Sequence, residues 1–541
     1  MTSDQHMSTE SVEKAGQVSR RGLFAGIGGA AAMAAGGGAL LSGGTAFAND
    51  GTPLFWRQPG KTGAPEVHGV HLTFGADPTR EMVVSWTTPT SVTGAKVHVG
   101  TLSGGYGRAV QADTVHYTDA KSGSEVLIHH ARLHNLRPDT EYAYAAVHDG
   151  GTPMPGFFRT APRGRARFTF TSFGDQGTPT MGKQITPAGA TSPIWVNDNL
   201  GSPAAGDVVA GVERIAPLLH LVNGDLCYAN ISDNRVRTWS DWFINNSRSA
   251  RFRPWMPAAG NHENELGNGP IGYGAYQSYF SLPDAGSDDE TRGLWYAFTV
   301  GSVRFISLNN DDVAYQDGGN SYVRGYSGGA QKRWLEAELS RTRANRDIDW
   351  IVVVMHQVVI STVDKFNGAD RGIREEWVPL FDKYGVDLVV CGHEHHYERS
   401  FPIRGAQSND TLTPIPVSTD KSVSDTSKGT VHVVLGGGGT SAPSNALFFD
   451  PAQCRVITGV GPVGSNGKRP PIYVQEDAPW SANRDKTNPY GFAAFTVDPG
   501  NHPGDATRME VTYYSVSGPF GELTAVDTFT LVRPRRDGRR S

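Results

Sequence analysis

Between about residues 66 and 161, apolar and polar positions alternate with a period of two. His71-Leu72-Thr73-Phe74, Met82-Val83-Val84-Ser85-Trp86 and Ala95-Lys96-Val97-His98-Val99 each read as half-buried strands. From about residue 165 the pattern changes. Short apolar runs at 167–173, 218–222, 348–355 and 387–391 stop at Gly174-Asp175, Gly224-Asp225, His356 and Gly392-His393. Between them, 205–216, 331–344 and 373–384 carry the spacing of amphipathic helices, the last closed by Gly385. Strand–loop–helix units with polar residues where the strands stop predict an α/β domain, with its working groups beyond the strand C-termini.

The two stretches 401–428 and 440–488 are rich in Ser, Pro, Asn and Gly and read as loops. A strand at 431–435 runs into Gly436-Gly437-Gly438-Gly439, and 492–497 and 509–516 read as closing strands. The domains expected are thus 66–161, all-β, and 165–535, α/β with the closing strands. No internal repeat is evident.

Glycine supplies 66 of 541 residues, well above the ~7% average, which fits many turns. The net charge of −5 gives no basic footprint for nucleic acid. No apolar run reaches the ~18 residues of a membrane span without a Gly interruption. The N-terminus holds Ser19-Arg20-Arg21-Gly22-Leu23-Phe24, then a Gly- and Ala-rich apolar stretch ending at Ala46-Phe47-Ala48. This resembles a bacterial twin-arginine export signal over 1–48 and implies a secreted or cell-envelope protein; the competing reading is a disordered basic tail. Residues 49–65 read as an extended leader. Cys227, Cys391 and Cys454 are too few for a disulfide framework and read first as small buried hydrophobes, with a Cys227–Cys391 contact left open.

Five segments carry the candidate chemistry: Gly174-Asp175-Gln176-Gly177, Gly224-Asp225-Leu226-Cys227-Tyr228, Gly260-Asn261-His262-Glu263, Val353-Val354-Met355-His356 and Gly392-His393-Glu394-His395. Each alone is weak, since Gly-Asp is a common turn and a lone His is usually structural. Together, in order and in one region, they supply carboxylates, a phenol, an amide and imidazoles. A negatively charged phosphate ester resists attack. Two cations about 3.5–4 Å apart neutralise that charge and generate a hydroxide at mild pH. Holding them so close needs an anionic bridge. Hard Fe(III) prefers oxygen, and a softer divalent partner accepts imidazole and amide oxygen.

This ordered set resembles the metallophosphoesterase superfamily over about 165–440, and the Tyr in Gly-Asp-x-x-Tyr is similar to that of purple acid phosphatases. The implied fold is a β-sandwich flanked by helices. The resemblance implies that Asp225 bridges two metals. Asp175, Tyr228 and His395 would complete an Fe(III) site, and Asn261, His356 and His393 would hold a divalent Zn, Mn or Fe. It implies a catalytic role for His262, near phosphate or the leaving group, as a proton or hydrogen-bond donor; the bland alternative is a residue that orients ligands. For Tyr228 the bland alternative is a packed strand-end aromatic. Glu263 would fix His262, and His396, Tyr397, Glu398 and Arg399 would support the ligands from behind. In the first domain, Leu136-Arg137-Pro138-Asp139-Thr140-Glu141-Tyr142 is similar to a fibronectin type III segment whose Tyr bonds back to the backbone. That domain would have no chemistry of its own.

One departure stands out. The plant-type enzymes carry a His pair where this chain has Lys365 and Phe366. Lys365 or His262 can still contact phosphate, but the pocket must differ, so acid pH preference and substrate choice stay open. The expected activity is hydrolysis of small phosphate monoesters, an acid phosphatase reaction. Phosphodiester or nucleotide hydrolysis uses the same metals, and a non-catalytic surface binding protein is the remaining alternative. The oligomeric state is open.

Overall fold

A computed structural model describes residues 64–538, apart from 180–181, 186–190, 193, 198–199, 317–318, 320 and 466. The twin-arginine segment, its cleavage pattern and most of the leader lie outside the described residues.

Two four-stranded antiparallel sheets form the first domain. One has the order His68–Phe74, Met82–Thr88, Glu125–Leu133, Asp113–Thr118; the other has Arg108–Gln111, Lys96–Thr101, Glu141–Val147, Met154–Arg159. Trp86, Leu72, Val97 and Tyr144 are buried between them. The Tyr142 hydroxyl accepts the Arg137 N–H at 2.8 Å, the corner bond anticipated from the motif. The expectation of half-buried strands fails for Met82–Thr88, which is buried at every position. The reason is tertiary: the polar face is covered by the second domain. His71 stacks on Phe243 at 4.3 Å, and the His130 ring lies 3.0 Å from the Ser278 carbonyl.

Two seven-stranded mixed sheets pack face to face in the second domain. In the first, Trp255–Ala258, Leu219–Asn223 and Phe168–Phe173 run parallel, followed by the antiparallel Gly491–Asp498, Ala506–Ser517 and Glu522–Pro534, with Val423–Asp425 at the edge. In the second, Val303–Ser307, Trp350–Val354, Leu388–Cys391 and Val431–Leu435 run parallel. Phe170 meets Phe305 edge-on at 5.1 Å, and Tyr397 stacks on Tyr513 at 3.9 Å, across the two inner faces. Helices Ala204–Ile215 and Arg235–Ala250 cover one outer face, and Ala330–Ala344 with Val378–Tyr384 the other. The expected β-sandwich flanked by helices is the fold.

Two expectations are corrected. The helix read at 373–384 is two, Arg371–Glu376 and Val378–Tyr384. Pro379 has no N–H to give the Glu375 carbonyl, so the chain breaks at Trp377; Gly385 does end the second piece, at φ 65°. The stretches read as loops contain strands. Val423–Asp425 extends the first large sheet, Ser481–Arg484 extends the second, and Gln453–Val460 pairs with Pro471–Asp477. Edge strands tolerate Pro and polar residues because one side needs no partner, so composition hid them. No helix among the described residues is long and apolar enough to cross a membrane.

Candidate metal centre

The parallel strands of both sheets deliver their C-terminal loops to one place, where the eight sequence-derived site residues meet. The loops approach so closely that side chains are excluded beside the polar groups. A Cβ on Gly224 would stand 2.6 Å from His356 Nδ1, and one on Gly392 2.3 Å from Asp175 Oδ2. Asp175, Asp225, Tyr228 and His393 take left-handed backbone angles, φ 57°, 50°, 57° and 71°. Non-glycine residues rarely do so, and clusters of them mark functional sites.

Each imidazole is aimed by its outer nitrogen. His356 Nδ1 lies 2.7 Å from the Asn223 carbonyl, His395 Nδ1 2.7 Å from the Ala442 carbonyl, and His393 Nε2 2.9 Å from Gln316 Oε1. All three partners are acceptors, so each ring carries an N–H outward and its inner nitrogen is the one able to offer a lone pair to a cation. The inward atoms crowd together. His356 Nε2 is 3.2 Å from His393 Nδ1, 3.1 Å from Asp225 Oδ2 and 3.0 Å from Asn261 Oδ1. Ligand atoms of Asp225, His356 and His393 all lie within 4.8 Å of one another. Beside them, the Tyr228 hydroxyl is 3.1 Å from His395 Nε2 and 3.4 Å from Asp175 Oδ1, and Asp175 Oδ1 is 3.3 Å from His395 Nε2.

Such a set repels itself unless positive charge sits among it. Without a cation, protons must supply that charge. Burial disfavours the imidazolium of His356, yet Asp225, Asp175 and the Asn223 carbonyl together outweigh burial and push it up to about 10. Burial and the charged His356 push His393 well below the ordinary value. Burial, then Asp175 and Asp225, hold the Tyr228 phenol well above its usual range, so a phenolate there requires a nearby cation. Buried lone-pair donors of this composition fit metal ions.

His262 is oriented by Asn230, with Nδ1 2.8 Å from its amide oxygen; its Nε2 lies 3.9 Å from Asp225 Oδ2 and its ring 4.6 Å from that of Tyr228. Its side chain is 27% exposed, against 3% for Asp225, so it faces the opening. Contrary to the expectation from sequence, Glu263 does not hold His262. Its carboxylate accepts the N–H groups of Gly260, Asp225 and Leu226 at 2.8, 2.9 and 2.8 Å, pinning two ligand loops together. His396, Tyr397, Glu398 and Arg399 lie behind the site. His396 bonds Ser444, whose N–H reaches the His395 carbonyl at 2.9 Å, while Glu398 accepts from Thr362 and Tyr397 and Arg399 reach Asp527. Lys365 is 83% exposed beside Asp364, whereas the Phe366 ring packs on His395 at 4.9 Å. Sequence reading missed Gln316, Asn230 and Asn223. Asn223 precedes Gly224-Asp225, a usable signal; Gln316 sits in a loop with none. Cys227, Cys391 and Cys454 are buried and free.

Two family models match: the purple acid phosphatase N-terminal domain over residues 67–170 and the calcineurin-like phosphoesterases over 203–397. An uncharacterised protein of Mycobacterium tuberculosis is 62% identical over 89% of this chain and 90% of its own. The phosphoenolpyruvate phosphatase of Allium cepa is 29% identical, over 68% of this chain and 69% of its own, and the purple acid phosphatase of Glycine max 27%, over 69% and 72%. This chain belongs to the purple acid phosphatase family. A yellow lupin member has the same fold, at TM-score 0.61 and 19% identity, with 87% of this chain and 75% of that one covered. Membership makes the chain a phosphoesterase hydrolase whose centre takes divalent metal, which agrees with the donor set above.

Proposed function

We propose that this protein hydrolyses small phosphate monoesters at a two-metal centre. The observation that carries the reading is the convergence of His356 Nε2 on His393 Nδ1 at 3.2 Å, Asp225 Oδ2 at 3.1 Å and Asn261 Oδ1 at 3.0 Å, ligand-type atoms gathered at one point by the outward hydrogen bonds of the rings. Asn261, His356 and His393 would hold a divalent Zn, Mn or Fe. Asp175, Tyr228 and His395, richer in oxygen, suit Fe(III), and Asp225 would be shared. Bound there, the two cations would neutralise the phosphate and acidify the attacking water. The chain's own part is positioning. Gln316, Asn223 and the Ala442 carbonyl fix the imidazoles, Glu263 fixes the loops, and His262 presents Nε2 toward the leaving oxygen. Phe366 narrows the pocket beside His395 and supplies no charge where the plant-type enzymes have a His pair.

The test is metal analysis and a visible spectrum of the purified protein, with turnover of mono-aryl against bis-aryl phosphates. Iron with a charge-transfer band and a preference for monoesters is expected. Unchanged phosphatase activity in Asp225→Ala would sink the catalytic reading, and a preference for diesters would redirect it. We also propose export through the twin-arginine route, supported by Arg20-Arg21 and Ala46-Phe47-Ala48. Replacing both arginines by lysine should trap the protein in the cytoplasm; continued export would refute this.

A further inference from the structure

A cleft of about 510 Å³ lies between the strand-rich first domain and the phosphoesterase domain, with Phe157, Phe158, Phe168, Phe252 and Arg253 in its lining. The arginines around it are not alike. Arg159 pairs with Asp139 at 2.9 Å and Arg167 with Asp498 at 3.0 Å. Arg253 has no such partner: among the described residues no carboxylate lies within 4.0 Å of it. One of its terminal nitrogens donates to Ser249 Oγ at 2.7 Å, and its Nε is buried and unbonded. Burial, only partly offset by the charge of Glu213, draws the guanidinium down to about 10. Arg251, two residues earlier, likewise has no carboxylate within 4.0 Å among the described residues. It donates to Met154 Sδ at 3.2 Å, lies over the Phe252 ring at 4.7 Å, and leaves a buried Nε unbonded. Phe157 is 38% exposed and rests against Phe252 at 4.6 Å.

A partly buried cation with a buried, unbonded Nε and no carboxylate in contact is costly, and each such group in a folded protein calls for an explanation. The guanidinium fork matches the oxygen spacing of phosphate and carboxylate, and it does so best where water is scarce. The aromatic pair at the mouth offers a face to a flat apolar group. Glu141, the carboxylate in the lining without an ion pair, is exposed, where solvent screens it.

We propose that this cleft is a second anion site, separate from the metal centre, that binds a small oxyanion-bearing ligand, with Arg253 on the phosphate or carboxylate and Phe157 and Phe252 on a flat apolar part. It shares no residue with the metal centre and does not depend on the function proposed above. The probes are phenylphosphonate and benzoate, titrated calorimetrically into the full-length protein and into its Asp225→Ala form. The Asp225→Ala protein should keep one binding event, and Arg253→Lys in that background should weaken it at least tenfold. Which probe binds more tightly separates phosphate from carboxylate recognition. Loss of all binding in Asp225→Ala, or unchanged binding in Arg253→Lys, would overturn the proposal. A crystal of the unmutated protein soaked in selenate gives a check independent of folding. An anomalous peak within hydrogen-bond reach of Arg253 supports the site, and an empty cleft refutes it.

Discussion

The Glu263 carboxylate accepts the backbone N–H of Asp225 at 2.9 Å, and the Asp225 carboxylate in turn accepts the backbone N–H of His262 at 2.8 Å. Two loops from adjacent parallel strands are thereby locked to each other, and Asp225 is held at φ 50°. The lock explains why a carboxylate is buried next to the candidate metal centre without reaching into it.

Glu263→Gln should therefore damage the centre without removing a ligand. A glutamine turns one acceptor oxygen into a donor facing backbone N–H groups, at a cost of about 1–3 kcal/mol. Thermal unfolding should show that loss, and metal content should fall with it. Unchanged stability and metal content would mean that the three N–H bonds matter little.

Gln316→Leu removes the acceptor that aims His393. Outer partners of this kind are worth ~10–100-fold in metal affinity or activity. The expected result is weaker retention of one metal equivalent against a chelator, with the fold intact by circular dichroism.

His262→Ala should lower kcat by ~10²–10⁴ with metal content unchanged. The loss should be greater for substrates with poor leaving groups, because a proton donor helps those most. Equal losses on good and poor leaving groups would favour a purely orienting role.

Stability should fall on acidification through the interdomain histidines. His130 is satisfied when neutral: its Nδ1 faces Ser85 Oγ at 2.8 Å and its Nε2 the Ser278 carbonyl at 3.0 Å. Burial, with help from His71, pulls it down to about 3 from 6.5. The unfolded chain thus takes the proton first, and stability drops as pH falls from 6.5 toward 3. The drop amounts to roughly 2–3 kcal/mol at pH 4.5 from this residue. Melting temperatures of His130→Gln should decline less steeply over that range, and parallel declines would refute the assignment.

The strand ends, the helix at 205–216 and the eight residues that converge on the candidate centre were legible in the sequence, because each local pattern sat beside an unambiguous breaker. Gly-Asp or Gly-His after a short apolar run marks where a strand stops, whatever the surroundings. What could not be read was anything set by a partner distant in the chain. Met82–Thr88 looked half-buried because its alternation is real, yet its polar face is covered by a helix some 190 residues away, as the 3.0 Å approach of His130 to Ser278 across 148 residues records. The strands of 453–477 and 481–484 carry no periodic signal, since edge position relaxes the demand for one.

The sequence by itself determined which atoms are available as ligands and in what order, because residue type and the flanking glycines are local properties. Only the tertiary structure decided which nitrogen of each imidazole faces inward, that Glu263 holds backbone instead of His262, and that no carboxylate among the described residues comes within 4.0 Å of Arg253. Those outcomes depend on hydrogen-bond partners and burial, which arise when loops from two sheets and two domains are packed against each other.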